Sequence, residues 1–336
     1  MGRPGRDVWF WTTAAVLALF VLFLLYPLIN VLSASLSAAQ DGRSGWQTLL
    51  GTEMYRSAVV NTLLLGVIVT VTSSLVGAPL AFFTARYSFK GKALIALLPM
   101  TTLIVPEVIA AQTWLMVFGN NGFVTRWLGE YGIQAPSFYG WFGLITVMTS
   151  IYFTYVYIGT IAAIRGFDRQ LEEASQSLGV APWRSLVQVM LPVVMPAVLA
   201  SAILVFTLVV GNFAVATILG ASVPLLSVLT YQSYVSEMGA NPVMQSTLAS
   251  VSIAIVALVL FLQRWVISHG KFEIVQGRGA IPIPLRGWKS VLISGAAALV
   301  LLISTLPLVT VVVGAFTRSR GPVMRWGEWT TANLER

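Results

Sequence analysis

Arg165-Gly166-Phe167-Asp168-Arg169-Gln170-Leu171-Glu172-Glu173-Ala174-Ser175-Gln176-Ser177-Leu178-Gly179 is a polar interruption in an otherwise apolar chain. It runs on through Val180-Ala181-Pro182-Trp183-Arg184-Ser185-Leu186 and closes with Val189-Met190-Leu191-Pro192. Apolar runs long enough to cross a bilayer flank it on both sides. Leu171, Ala174, Ser175 and Leu178 recur at i, i+3, i+4 and i+7, which predicts one face of a short helix. Gly179 predicts where that helix stops, because glycine takes a left-handed cap without steric cost. Pro182 has the fixed dihedral suited to the first turn of a second helix, although Ala181 before it is a weaker cap than a serine. The stretch therefore reads as helix, sharp turn, helix: a polar knob at a membrane surface, shaped for docking.

The surrounding composition supports a membrane setting. Of 336 residues, 57% are hydrophobic and 10% charged, fractions foreign to an ordinary soluble domain. With no cysteine there is no disulfide framework, thiolate metal site or cysteine nucleophile. The single histidine, His269, sits in a basic stretch, so neither a His-rich metal site nor a Ser-His-Asp constellation is assembled elsewhere. The net charge of +8 would suit nucleic acid, but the basic residues form no single patch; they stand between apolar runs, as orientation signals do.

Taken in order, the chain predicts an all-α polytopic membrane protein of six spans followed by a seventh. The spans are Val8 to Leu36, Ser57 to Ala85, Ala93 to Phe118 (broken at Pro99 and Pro106), Gly140 to Ile164, Pro192 to Leu219, Met244 to Ile267 and Ser290 to Phe316. Ser33 to Ala39 offers small residues for signal-peptide cleavage, but the preceding apolar run fits a spanning helix better. Val223 to Val243 reads as a polar connection. With the N-terminus inside, the inner segments hold thirteen Lys and Arg: Arg3, Arg6, Arg86, Lys90, Lys92, Arg165, Arg169, Arg184, Arg264, Lys271, Arg278, Arg286 and Lys289. The complete outer loops hold three, Arg43, Arg56 and Arg126. That bias places the polar knob in the cytoplasm. The seventh span repeats the first: Tyr26-Pro27-Leu28-Ile29-Asn30-Val31 pairs with Leu306-Pro307-Leu308-Val309-Thr310-Val311, and each leads to a Trp-bearing polar loop.

The spacing of the knob resembles the coupling loop of ABC importer permeases. That pattern is Glu-Ala-Ala, three residues, Gly, nine residues, an aliphatic, one residue and Leu-Pro. Here it is met by Glu173-Ala174-Ser175, Gly179, Val189 and Leu191-Pro192, with Ser175 for the second alanine and Val189 for the usual isoleucine. The later text, including Gly211-Asn212-Phe213 and Val228-Leu229-Thr230-Tyr231-Gln232, is similar to the fused double permeases of importers for ferric iron, polyamines and aminoethylphosphonate. Many of those relatives carry an acidic residue where Asn212 stands.

The resemblance implies a division into a first span and outer loop (1–56), a type-1 permease domain (57–267, coupling loop 165–192), a basic cytoplasmic linker (268–289) and the first span and outer loop of an incomplete second half (290–336). It implies a bacterial inner-membrane transport subunit, not an enzyme, working by alternating access, with ferric iron first among the solutes. The partners it implies are ABC ATPase subunits, an extracytoplasmic solute-binding protein, and a second permease half or a homodimer copy. No Gly-x-x-x-x-Gly-Lys-Ser/Thr run occurs, so no cofactor is expected in this chain, and ATP would be bound by the partner.

In the coupling loop, Glu172 and Glu173 would meet basic groups of the ATPase and Leu171, Leu178 and Trp183 would fill its apolar floor, with Ala174, Gly179, Leu191 and Pro192 as the further loop positions that the resemblance marks. Glu107, the one carboxylate well inside a span, directly follows Pro106 and is a candidate for the translocation path, as is Asn212. Tyr152, Tyr155 and Tyr157 read as packing and interface anchors, and Glu130 and Glu237 as outer-loop residues. An ion-coupled secondary transporter is the alternative, although one intramembrane Glu is thin support for it. Because native cysteine is absent, a Ser177→Cys variant tests the orientation: a membrane-impermeant maleimide added to intact cells should leave the introduced thiol unlabelled until the membrane is opened.

Overall fold

The computed structural model describes residues 4–37, 42–89, 91–235, 241–269, 283–285, 287–320 and 323–333. The linker expected at 268–289 lies mostly outside these residues, as do Arg3, Lys90, Glu237 and positions 38 and 39. The described chain is helical almost throughout. Its helices are α1 (Val8–Ser35), α2 (Gly45–Gly51), α3 (Glu53–Arg86), α4 (Lys92–Thr101), α5 (Glu107–Phe118), α6 (Phe123–Glu130), α7 (Trp141–Gly166), α8 (Arg169–Ser177), α9 (Pro182–Gly211), α10 (Ala214–Leu219), α11 (Leu226–Val235), α12 (Pro242–His269) and α13 (Trp288–Ala315). Two short strand pairs complete it: β1 (Tyr87–Ser88) beside β2 (Ile283–Pro284), and β3 (Thr317–Arg320) beside β4 (Val323–Trp329). Six of the helices are long and apolar enough to cross a membrane.

The remaining expected span is broken, at one of the two prolines named for it. Pro99 stays inside α4, whereas Pro106 is extended (φ −57°, ψ 139°) and starts α5. The carbonyl of Pro99 accepts from the Thr102 N–H at 3.2 Å and from the hydroxyls of Thr102 and of Thr154 of α7, both at 2.9 Å, so this end of α4 is answered by tight backbone turns and by side chains. The span expected from Pro192 to Leu219 is also broken. It ends at Gly211 and resumes as α10, because the Asn212 side chain accepts from the backbone N–H of Val215 at 2.9 Å and from that of Ala216. Asparagine competes well for neighbouring backbone groups, and that competition interrupts the helix.

Two compact units divide the chain: Met1–Val60 with Pro224–Ile255, and Asn61–Val223 with Val256–Arg336. In the first, Ser44 and Gln47 close a reciprocal capping box that starts α2. Its core is Leu49, Ala58, Leu226, Leu229, Met244 and Leu248. The connection expected to be polar at 223–243 thus contains α11, which buries Leu226 and Leu229. None of the most apolar window of α1 is buried.

The second unit is built on α7, the most buried of the long helices. Phe153, Tyr157 and Ile161 of α7 pack with Leu80 and Ala81 of α3, Ile95 of α4, and Ala297 and Leu301 of α13. Small residues set these approaches. A Cβ on Gly77 would collide with the backbone of α7 at Phe153 and Tyr157, and one on Gly159 with Ser201 of α9. A Gly77→Leu substitution should therefore cost about 1–3 kcal/mol through overpacking. Gly129→Ala, whose new methyl group meets nothing within 4 Å, should be neutral or gain up to about 1 kcal/mol. Denaturation midpoints in detergent check both.

Candidate functional site

The knob forms as read, a short helix, a tight turn and a second helix. Asp168 caps α8 by accepting from the Gln170 N–H at 3.0 Å. Gly179 takes φ +88°, its N–H donates to the Gln176 carbonyl at 2.9 Å, and the Val180 N–H donates to that of Ser175. Pro182 opens α9. Residues Leu186–Met190 of α9 wind as a π-helix just before Leu191 and Pro192. The wider turn relieves the clash a proline ring makes with the carbonyl four residues back. Leu191 and Pro192 themselves are exposed.

The orientation of α8 is the reverse of an ordinary surface helix. Its inward face is polar, made of Glu172, Ser175 and Gln176, while Leu171, Ala174 and Leu178 face outward. Leu178 is 86% exposed and Trp183 63%. The Arg184 guanidinium lies over the Trp183 ring at 5.3 Å. The expectation that Glu172 faces a partner is corrected here: Glu172 is 2% exposed and is held within the chain by Arg86 of α3. The two guanidinium nitrogens donate to the two carboxylate oxygens at 2.8 and 2.5 Å, and Gln176 donates to Oε1 at 3.2 Å. A planar, bidentate pair is what a buried carboxylate requires for its lost hydration to be answered. The Ser175 and Ser185 hydroxyls, 2.5 Å apart, tie α8 to α9, so the departure of Ser175 from alanine has a structural partner. Glu173 is exposed and pairs with Arg169, one turn away, at 3.3 Å.

The two path candidates meet. The Tyr152 hydroxyl donates to Glu107 Oε1 at 2.8 Å. The Asn212 amide nitrogen donates to Glu107 Oε2 at 2.5 Å and to the Tyr152 oxygen at 2.7 Å. The amide orientation is fixed from its other side, because Asn212 Oδ1 takes the Val215 and Ala216 N–H groups. Both helix breaks, Pro106–Glu107 and Asn212–Phe213, therefore converge on Tyr152, near the middle of unbroken α7. Tyr152 lies about 17 Å from the start of the 26-residue α7, a helix long enough to cross a membrane, which puts the cluster near mid-span. Tyr152, read from the sequence as packing, belongs to this site. A buried phenol halfway along a span must find a hydrogen-bond partner, and that was the available signal.

Six helices of membrane-spanning length define a multi-pass membrane protein. The family profile described as "Binding-protein-dependent transport system inner membrane component" matches residues 77–269, more than half of the chain. The chain belongs to that family: it is the inner-membrane permease of an ABC importer, of the type-1 fold. It is 28% identical over 259 residues to the sulfate transport system permease protein CysT of Escherichia coli K12, covering 77% of this chain and 91% of that one. It is 25% identical over 265 residues to the putrescine transport system permease protein PotI of the same organism, covering 76% and 90%. The fold is shared with a chain of the bacterial alginate ABC transporter crystallised with its alginate-bound periplasmic protein: TM-score 0.63 at 19% identity, over 79% of this chain and 97% of that one.

The Arg86–Glu172 pair makes a separable prediction. Arg86→Met alone leaves Glu172 buried and unpaired and should cost about 3–5 kcal/mol, whereas Arg86→Met with Glu172→Leu should recover most of that loss. A double-mutant cycle on denaturation midpoints measures the difference.

Proposed function

We propose that the α8–α9 hairpin is the seat of a separate ATPase subunit on the cytoplasmic side of the membrane. ATP is bound by that partner, and this chain carries no cofactor of its own. The N-terminus lies in the cytoplasm, an extracytoplasmic binding protein delivers the solute, and a second permease half or a second copy completes the path. In this reading α13 begins a second half, in keeping with the repeat between Tyr26–Val31 and Leu306–Val311. The solute crosses by alternating access.

One observation carries the proposal: the hairpin turns Glu172, Ser175 and Gln176 into its own protein and leaves Leu171, Leu178 and Trp183 exposed among polar residues. Leu178 and Trp183 are exposed at the tip of an otherwise polar segment, the arrangement of an anchor awaiting a pocket. The hairpin is also rigidly mounted. It continues α7 and leads into α9, and Arg86–Glu172 ties it to α3, so a displacement at the tip reaches three helices.

The ion-coupled alternative finds less support, since Glu107 is the single carboxylate at mid-depth. Ferric iron headed the solutes suggested by the resemblance. The two relatives described above are named for sulfate and putrescine, solutes of opposite charge. Family membership thus spans both signs, and the charge of the solute has to be argued from the site.

Gly179→Pro is incompatible with a φ of +88° and removes the N–H that closes the turn. It should abolish solute-stimulated ATP hydrolysis in the reconstituted transporter while membrane insertion persists. Trp183→Ala should weaken ATPase docking roughly thirtyfold, as for an interface anchor. Undiminished coupled hydrolysis in Gly179→Pro would remove the hairpin from the mechanism.

A further inference from the structure

The Glu107 cluster carries a charge that no described cation balances. Among the described residues, no Lys, Arg or His lies within ion-pair distance of its carboxylate; the ion pairs found there are Arg86–Glu172, Arg169–Glu173 and Arg318–Glu328. Its partners are neutral, and both are donors aimed at it: the Tyr152 hydroxyl at Oε1 and the Asn212 amide at Oε2. Asn212 has no freedom to turn its oxygen toward Glu107, because that oxygen is committed to the start of α10. The pattern suits an acceptor-only carboxylate held in one orientation. Each of its oxygens keeps a further acceptor site beyond the one already used.

The remaining acceptor sites have somewhere to point. Tyr152 and Asn212 are 1% and 5% exposed, but Glu107 is only half-buried, and its neighbours Leu103, Ile104 and Val108 are exposed. The carboxylate thus stands at the edge of the packed bundle with its back supported and its front open. A second tyrosine ring, that of Tyr155, lies 6.1 Å from the Tyr152 ring and is itself only partly buried. A mid-depth anion braced by fixed neutral donors and flanked by aromatic rings favours a cation bearing N–H donors. It repels an oxyanion. A multivalent metal ion would ask for several oxygen ligands, and among the described residues no group of three or more His, Asp or Glu side chains comes together.

We infer that Glu107, positioned by Tyr152 and Asn212, is a recognition point for a cationic solute carrying a protonated amine. This deepens the permease reading above and rests on it. The Tyr152 and Asn212 hydrogen bonds orient the carboxylate, and the ammonium of the solute takes the two acceptor sites they leave. Ferric iron is disfavoured on the same ground, since the site offers it one carboxylate.

The test uses the full chain in lipid nanodiscs, with thermal unfolding followed as putrescine dihydrochloride or sodium sulfate is titrated at matched ionic strength. Putrescine should raise the midpoint in a saturable manner and sulfate should not. Glu107→Gln should raise the half-saturating putrescine concentration about tenfold or more, the loss of a charge-assisted contact. Tyr152→Phe keeps the charge and should retain part of the response. Saturable stabilisation by sulfate, indifference of the wild type to putrescine, or an undiminished response in Glu107→Gln would each overturn the inference. If Glu107→Gln does not accumulate, the wild-type comparison of putrescine with sulfate decides alone. Capture of the ATPase by the wild-type chain is measured separately, so a failed solute test and a failed importer reading are told apart.

Discussion

Hydrocarbon offers no water to an unpaired backbone group, and that constraint shapes everything of interest in this chain. A membrane helix can be interrupted only where something else supplies the missing partners. Here two helices are interrupted, and each interruption is answered by named side chains. Thr102 and Thr154 take the carbonyl of Pro99, and Asn212 takes the N–H groups that begin α10. The unbroken helix between them, α7, supplies both Thr154 and Tyr152. The most buried helix of the bundle is thus also the one that makes the irregular backbone affordable, and Glu107 is placed where the two breaks meet it.

The buried Arg86–Glu172 pair answers a different need. Bringing a carboxylate and a guanidinium out of water costs several kcal/mol per ion, and their attraction restores little more than that cost. The pair is therefore weak as a source of stability and strong as a specification of geometry. It decides which face of α8 turns inward. An apolar contact at Leu171, Ala174 and Leu178 would otherwise be the natural inward face of this short helix. The bidentate pair, with Gln176 and the Ser175–Ser185 hydroxyl contact behind it, holds the helix the other way round and leaves Leu171 and Leu178 exposed.

The sequence made the hairpin legible because its determinants are local. A left-handed Gly179 and an N-terminal Pro182 act over a few residues, and each performs the expected task, while Asp168 adds a cap that was not among those expected. Hydropathy made six of the seven expected spans legible as helices of membrane length; the third is broken between α4 and α5. The inward turn of α8 was not, since helical periodicity locates a stripe without saying which side the protein occupies. Arg86 and Glu172 are 86 residues apart in the chain, and no local pattern relates them. The break at Asn212 was hidden for a similar reason: Gly211 and Asn212 sit in an apolar run that reads as one span until the side chain is seen capping α10. Likewise Glu107 and Asn212 were visible individually as polar residues in apolar surroundings, while their meeting through Tyr152 is a property of the packing.

The two sites share their supports. The hairpin is bounded by α7 and α9, and the same two helices carry Tyr152 and lead to Asn212. From Tyr152 to the end of α7 is about 20 Å of continuous helix, at about 1.5 Å per residue. Glu107 belongs to neither helix; it starts α5, which packs on α13 and on α10 and also meets α7. A displacement of the hairpin that carries α7 and α9 together would move Tyr152 and Asn212 as a pair, and the packing of α5 on α10, α7 and α13 sets how far Glu107 follows. Interfaces of this kind hold discrete arrangements better than graded ones. Two short hydrogen bonds across such a seam are therefore well placed to distinguish one arrangement of the helices from another. The carboxylate whose orientation they set would then present its charge differently in each.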